Sequence, residues 1–429
     1  MLDMAFIREN ADLVRRGAQR KRIAFDVDRV LALDAERRRL QTAREQAKAE
    51  QNRVGKQVAT LSGDAKKETL ARLKALKDDV ERHEAGIGPI DRELAALLLH
   101  APNPPADEVP DGATDADNVE VRRVGAPPSF SFPPKDHVEL MGALGWLDVE
   151  RAGRIAGSRA YFLKGDGVFL EQAVLRLGLD LIASRGFTPL SVPVIVKESA
   201  LVGTAYLPGA EEQTYRIANP TFDDQGCFLV GTSEVSVTAF RGGEILDGAS
   251  LPLRYAGLSP CFRREAGTYG KDTRGLYRVH QFNKVEQVVV DVADEARSRA
   301  HLEDIVRNAE DLLAALELPY RVVTVCTGDM GRGQVKKYDL EAWMPGRKGY
   351  GETHSASMFF EFQARRLDLR YRDAEGKVRH CHTLNNTVVA TPRILIPLLE
   401  NHQRADVSVG VPKALRPYLG GREEFRPAR

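Results

Sequence analysis

The 429-residue sequence predicts an α+β fold: a largely antiparallel sheet flanked by helices, preceded by an N-terminal antiparallel two-helix coiled-coil arm. Three observations predict it. A seven-residue apolar repeat runs through the first hundred residues, and a proline-rich segment interrupts the chain near residue 100. Beyond that, strand-like apolar runs follow one another with loops rather than helices between them.

Leu33, Leu40, Ala47, Val54 and Leu61 recur every seven positions, with Val30, Arg37, Arg44, Gln51 and Val58 in the companion seam. After a break at Ser62-Gly63-Asp64, the series Leu73, Leu76, Val80, His83, Ile87, Ile90, Leu94, Leu97 alternates steps of three and four. Helices joined by so short a turn pack antiparallel. A helix from Val27 to Leu61 is roughly 50 Å long at 1.5 Å per residue, so the pair projects as an arm spanning about 27–100. Gly86, Gly88 and Pro89 predict a kink near its base. Between Arg37 and Lys77 there are 12 lysines and arginines against 4 acids, Arg37, Arg38, Arg39, Arg44, Lys48 and Lys74 among the cations. A basic stripe on a rigid rod suits phosphate contacts and the reading of RNA shape. A merely solvated face is the other reading of such a charge run.

Prolines at 102, 104, 105 and 110 mark the boundary and predict two domains, 1–104 and 105–429. Lysine plus arginine, 62 against 61 acids, leave no global excess, so any nucleic-acid surface is local. MLDMAFIREN lacks the apolar run of a secretory signal, and no stretch approaches the ~18 apolar residues of a membrane span. A cytoplasmic protein without membrane contact is expected. Cys227, Cys261, Cys326 and Cys381 form no C-x-x-C pair and fit reduced thiols better than a zinc knuckle.

Past Asn118 the pattern predicts strands at 192–196, 227–230, 285–290, 321–326 and 359–362, and helices at 170–185, 293–316 and 393–401. Three segments then place polar groups where a plain strand or helix would not want them. Gly231-Thr232-Ser233-Glu234 follows an apolar run and brings a hydroxyl and a carboxylate to one strand end. It also reads as a helix start, with Thr232 or Ser233 capping. In FRREAGTYGKDTRGLYRVHQFNKVE, residues 262–286, a strand carrying Arg263 and Glu265 enters a glycine-bearing loop with Lys271, Arg274 and Arg278 and returns through Phe282, a basic flap suited to phosphate or an RNA end. HTLNNTVVATPRILIPLLEN, from His382, is a polar strand turning into a helix near Pro392-Arg393. An arginine there opposes the helix dipole and suggests a ligand.

In this order, after a helical hairpin, the three segments resemble the class II aminoacyl-tRNA synthetases, specifically the seryl-tRNA synthetase family of bacterial type, over essentially the whole chain. Residues 262–286 resemble motif 2, 385–393 motif 3, Thr232-Ser233-Glu234 the serine-binding TxE loop, and helix 170–185 with GFTPLSVP motif 1, which builds the family's homodimer interface. The resemblance implies a two-step ligase. Serine and ATP give seryl-adenylate, and the seryl group then passes to tRNA(Ser), with tRNA(Sec) also allowed. No protein nucleophile is required, so catalysis rests on positioning and charge stabilisation.

By resemblance, Arg263 holds the carboxylate and α-phosphate, Glu265 meets the adenine edge, and Phe282 and Arg393 sandwich the ring. Arg264, Val279, Thr353 and His354 belong to the ATP site, and Glu352 and Ser355 meet ATP and Mg2+, whose preference is for hard oxygens. Glu286 and Thr387 bind the serine hydroxyl, Thr232 and Glu234 surround its amino group, and Ser233 and Asn385 complete the pocket. The arm, with Lys271 and Arg274 of the flap, binds tRNA. Two departures from the family pattern bear on backbone shape and affinity: Asn385-Asn386-Thr387-Val388 stands where Asn-Gly-Ser-Gly is common, and His354 and Ala356 stand where serine and cysteine are frequent. His354, His380 and His382 invite a zinc reading, but their spacing does not complete four ligands. A ligase acting on a carrier protein would tend to lack the arm. Loss of Arg263, Glu265, Glu286 or Arg393 would have favoured a non-catalytic RNA-binding paralogue, and all four are retained. A coiled-coil scaffold has no use for so polar a flap.

Overall fold

The computed structural model describes residues 1–218, 226–267 and 275–427, in two units, Met1–Pro104 and Pro105–Arg429. Lys271 and Arg274 lie outside the described residues.

In the first unit, α1 (Val27–Val58) and α2 (Gly63–His100) pack along one another. The Asp26 carboxylate caps α1 by accepting the Arg29 N–H. Every seam position named above is buried or half-buried, and the heptad is the stripe by which the two helices meet. α1 ends at Val58 rather than Leu61. α2 runs as one helix from Gly63 to His100 with Pro89, the residue on which a kink is expected, inside it. Gly86 serves close approach, because a Cβ there would lie 3.2 Å from Leu40 Cδ1.

The second unit is built on an eight-stranded sheet of β1 (Val119–Val124), β2 (Thr188–Ser191), β3 (Leu253–Phe262), β4 (Gln281–Asp291), β5 (Tyr320–Thr324), β6 (Lys336–Met344), β7 (Gly349–Phe360) and β8 (His382–Thr391), in the order β1-β5-β6-β7-β8-β4-β3-β2. All neighbours are antiparallel except β2 and β3. Among its helices are α3 (Asp166–Ser184), α4 (Glu234–Ala239), α5 (Glu295–Ala315), α6 (Phe362–Leu367) and α7 (Leu395–Asn401). α3 and α5 bury their apolar sides against the sheet, and Gly178 permits the close approach of α3, since a Cβ there would lie 2.8 Å from Val389 Cγ1. Strand periodicity sends alternate side chains to opposite faces. Gln287 and Asn386 therefore turn to α5, where both donate to the Ile305 carbonyl, while Glu286 and Thr387 turn away from it.

Several expected elements shift. Arg263 and Glu265 follow the end of β3 rather than riding on it, and Glu265 takes a left-handed φ of 51°. The strand expected at 359–362 is the tail of β7, with α6 beginning at Phe362. β6 carries no strand expectation. α7 starts at Leu395, which leaves Pro392 and Arg393 in the turn before it. Among the described residues no helix is long and apolar enough to cross a membrane, and no group of three or more His, Cys, Asp or Glu is placed to hold a metal ion.

Candidate active site

A cavity of about 310 Å³ opens on the sheet face away from α5, floored by β4, β7 and β8. Two β-bulges decide what it contains. In β8 the register with β4 slips so that Val388 is the extra residue, and Thr387 and Ala390 face the cavity while Val388 and Val389 pack toward α3. In β7 the extra residue is Thr353: Glu352, Thr353, Ser355 and Ser357 line the cavity, and His354 and Ala356 are turned into the core.

His354 is consequently not an ATP contact. Its Nε2 donates to the Val388 carbonyl at 2.9 Å, and burial lowers its pKa to about 4, so it is a neutral structural imidazole. Asn386 likewise points at α5. The positions where the chain departs from the common family pattern thus fall largely on the far face, with Thr387 alone reaching the cavity.

Two buried carboxylates stand at one end. Glu286 lies opposite Thr387 in the β4–β8 register; Thr387 Oγ1 donates to its Oε2 at 3.3 Å, and Lys284 Nζ lies 2.5 Å from the same oxygen. Glu234, at the start of α4, is held by neutral donors: Tyr206 OH at 3.0 Å on Oε2 and Gln363 Nε2 at 2.9 Å on Oε1. Burial, then the charge of Glu286, push Glu234 up to about 7. Of the Thr232-Ser233-Glu234 trio only Glu234 lines the cavity. Thr232 Oγ1 accepts the Glu234 N–H at 3.3 Å. Ser233 precedes α4 without capping it and donates instead to the Gly257 carbonyl at 3.0 Å.

Cations occupy the other end. Arg263 Nε donates to the Gly231 carbonyl at 3.2 Å, and its guanidinium carbon lies 5.2 Å from the Phe282 ring centroid. Arg278 pairs with Glu265 at 3.1 Å. Arg393 donates from Nε to the Tyr277 carbonyl and from Nη1 to the Glu352 carbonyl, at 3.2 and 3.3 Å. Burial would raise Glu352, but Arg393, Lys337, Arg263 and Arg278 outweigh it and hold the carboxyl below its ordinary range. Val279 and Asn385 line the cavity, whereas Arg264 is exposed and outside it.

Sequence reasoning missed Lys284, Tyr206, Gln363 and the Lys337–Asp339 pair at 3.1 Å beside Ser355. Burial, opposed by Lys337, raises the Asp339 carboxyl above its ordinary range. Lys284 could have been found from the sequence, since it stands two residues before Glu286 on one strand and so shares its face. Tyr206 and Gln363 could not, because only tertiary folding brings them to Glu234.

Residues 1–105 match the seryl-tRNA synthetase N-terminal domain, and residues 215–402 match the tRNA synthetase class II core domain (G, H, P, S and T). The chain is 48% identical to a serine–tRNA ligase of Deinococcus radiodurans over 99% of this chain and 98% of that one. It is 43% identical to the Rubrobacter xylanophilus serine–tRNA ligase over the full length of both. Its structure superposes on the seryl-tRNA synthetase of Pyrococcus horikoshii complexed with ATP with a TM-score of 0.93 and 37% identity, covering 100% of each chain.

Proposed function

Because the chain belongs to the seryl-tRNA synthetase family, and is thereby a class II ligase that forms an aminoacyl-tRNA, we propose that it activates L-serine with ATP and transfers it from seryl-adenylate to tRNA(Ser), with tRNA(Sec) as a second acceptor. The observation that carries the reading is the division of labour between two buried carboxylates. Glu286 is already neutralised by Lys284 and offers its remaining capacity, with Thr387, to a hydroxyl. Glu234 has only neutral partners and therefore suits an ammonium. A small zwitterion with a β-hydroxyl matches both.

In the first step the substrate's own carboxylate attacks the α-phosphorus of ATP and pyrophosphate leaves, so the protein's task is to bind and align. Arg263, between the serine pocket and Phe282, reaches the carboxylate and an α-phosphate oxygen together. Phe282 and Arg393 take the adenine faces, and Glu265, steadied by Arg278, takes its edge. Glu352 and Ser355 fit a magnesium ion, since one carboxylate kept ionised by neighbouring cations and one hydroxyl, completed by phosphate oxygens, form a hard-oxygen set. That ion would neutralise phosphate charge. Residues 1–104 serve as the tRNA-binding domain and 105–429 as the catalytic domain of a cytoplasmic homodimer.

Serine-dependent ATP–pyrophosphate exchange followed by tRNA(Ser) charging tests the proposal. Exchange without charging would move the reading to a carrier ligase, and no exchange would defeat it. Thr387→Val should raise the serine KM about tenfold to thirtyfold, ~2 kcal/mol for a lost hydrogen bond to a charged acceptor, and narrow the preference for serine over alanine. An unchanged serine-to-alanine ratio would remove Thr387 from the pocket.

On the arm, the cations divide. Arg37, Arg38, Arg39 and Arg44 are engaged by Asp91, Asp34, Glu36 and Glu84, whereas Lys48, Lys56, Lys66 and Lys74 have no ion-pair partner among the described residues. Replacing these four lysines by alanine is expected to weaken tRNA charging about tenfold or more, to flatten its salt dependence, and to leave exchange intact. Equal loss in both assays would refute the division between arm and cavity.

A further inference from the structure

The Tyr277 ring is shared by two guanidiniums. The Arg393 carbon lies 4.4 Å from its centroid and the Arg347 carbon 4.3 Å. Arg393 also donates to the Tyr277 carbonyl and the Glu352 carbonyl, so its plane is fixed from three sides before any ligand arrives. Arg347 is exposed at the rim, where solvent screens its charge.

Tyr277 and Arg347 sit on different loops, one before β4 and one between β6 and β7, and a single buried carboxylate ties the loops together. Glu400 of α7 accepts the His137 and Gly346 N–H groups at 2.9 and 2.8 Å, and its Oε1 lies 2.9 Å from His137 Nδ1. His137 Nε2 accepts the Leu276 N–H at 3.2 Å, so the neutral ring carries its proton on Nδ1 and gives that hydrogen bond to Glu400. Residues adjacent to Arg347 and Tyr277 thus hang on Glu400, directly through Gly346 and by way of His137 through Leu276.

Side-chain-free positions make this approach possible. A Cβ at Gly346 would lie 2.9 Å from Glu400 Oε1. One at Gly275, whose φ is +85°, would lie 2.2 Å from His137 Nε2. One at Gly351 would lie 3.2 Å from the Tyr277 ring.

We propose that Tyr277 is a positioning residue for ATP: its ring, held by the Glu400–His137 tie and covered by Arg347, backs one face of the Arg393 guanidinium so that the other face is set to receive adenine opposite Phe282. The inference rests on the reading of the cavity as an ATP site. Preorganising a planar cation in this way removes the cost of ordering it on binding.

The test uses the full-length protein with Tyr277→Leu, Tyr277→Phe and Arg347→Gln, measuring ATP binding by calorimetry without serine, the KM values for ATP and serine in exchange, and competition by inorganic triphosphate. Tyr277→Leu should weaken ATP binding about fivefold to tenfold, while the serine KM and the triphosphate inhibition constant stay within about twofold. Tyr277→Phe, which keeps the ring, should recover most of the affinity, and Arg347→Gln should cost about twofold. The inference is overturned if Tyr277→Leu leaves ATP binding unchanged, if it weakens ATP and triphosphate equally, or if Tyr277→Phe is as damaged as the leucine variant. A wild-type protein that binds no ATP overturns the cavity reading and this inference with it. Wild-type ATP binding without serine-dependent exchange overturns the serine assignment, and the Tyr277 comparison then decides the stack by itself.

Discussion

Replacing Arg263 by alanine is expected to lower serine-dependent exchange on the order of 10³-fold, ~4 kcal/mol of transition-state stabilisation, with little change in melting temperature. The other cations around the cavity are engaged. Arg278 holds Glu265, Lys337 holds Asp339, and Arg393 is tied to Glu352 and Tyr277. Arg263 spends only Nε on the Gly231 carbonyl, and its two Nη groups have no hydrogen-bond partner among the described residues. It is therefore the guanidinium available to a carboxylate and a phosphate oxygen at once. Arg263→Lys keeps the charge but loses the planar fork, and should recover less than a tenth of the activity. Thermal melts beside exchange assays separate the catalytic loss from unfolding. Exchange within tenfold of wild type in Arg263→Ala would show that the α-phosphate is held elsewhere.

What the sequence disclosed follows from how local each signal is. The arm was legible because a seven-residue period is a one-dimensional signature of its packing, and all the seam residues from Val30 to Leu97 are buried or half-buried. The strands that form the cavity floor were harder. β7, GYGETHSASMFF, carries small and polar residues on its cavity face and loses strict alternation at the Thr353 bulge, so its first ten residues do not read as a strand. β6 escaped notice, and the polar start of β4, Gln281 to Lys284, concealed four strand residues.

The same bulges explain which site residues were misplaced. The resemblance places His354 with Glu352 among the expected ATP contacts, but the extra residue at Thr353 sends it into the core. Glu286 and Thr387 stand in direct register, which no local pattern states; the family resemblance supplied that pair. Tyr206 and Gln363 had no signal of either kind.

Those two residues shape the second large effect, a pH dependence of serine use. Glu234 is expected to bind the substrate ammonium as a carboxylate, yet burial and Glu286 raise its pKa from 4.5 to about 7, so protons compete with serine near neutrality. At saturating ATP, kcat/KM for serine should be level above about pH 7.5 and fall about tenfold per unit below about pH 6.5. The linkage to stability has the opposite sign. A folded pKa above the unfolded one contributes stability that is fully present below pH 4.5 and is lost as pH rises through 7, so at this group the fold is firmer at pH 5.5 than at pH 7.5. Acid unfolding through Glu234 cannot account for the limb. Glu234→Gln should remove the limb and lower the plateau by about 10², ~3 kcal/mol for a lost charged hydrogen bond. Gln363 and Tyr206 stabilise the charged form by donating to it, so Gln363→Leu should move the limb to higher pH, and Tyr206→Phe should move it in the same direction by less. A limb that persists unchanged in Glu234→Gln would assign the titration to another group and take the ammonium away from Glu234.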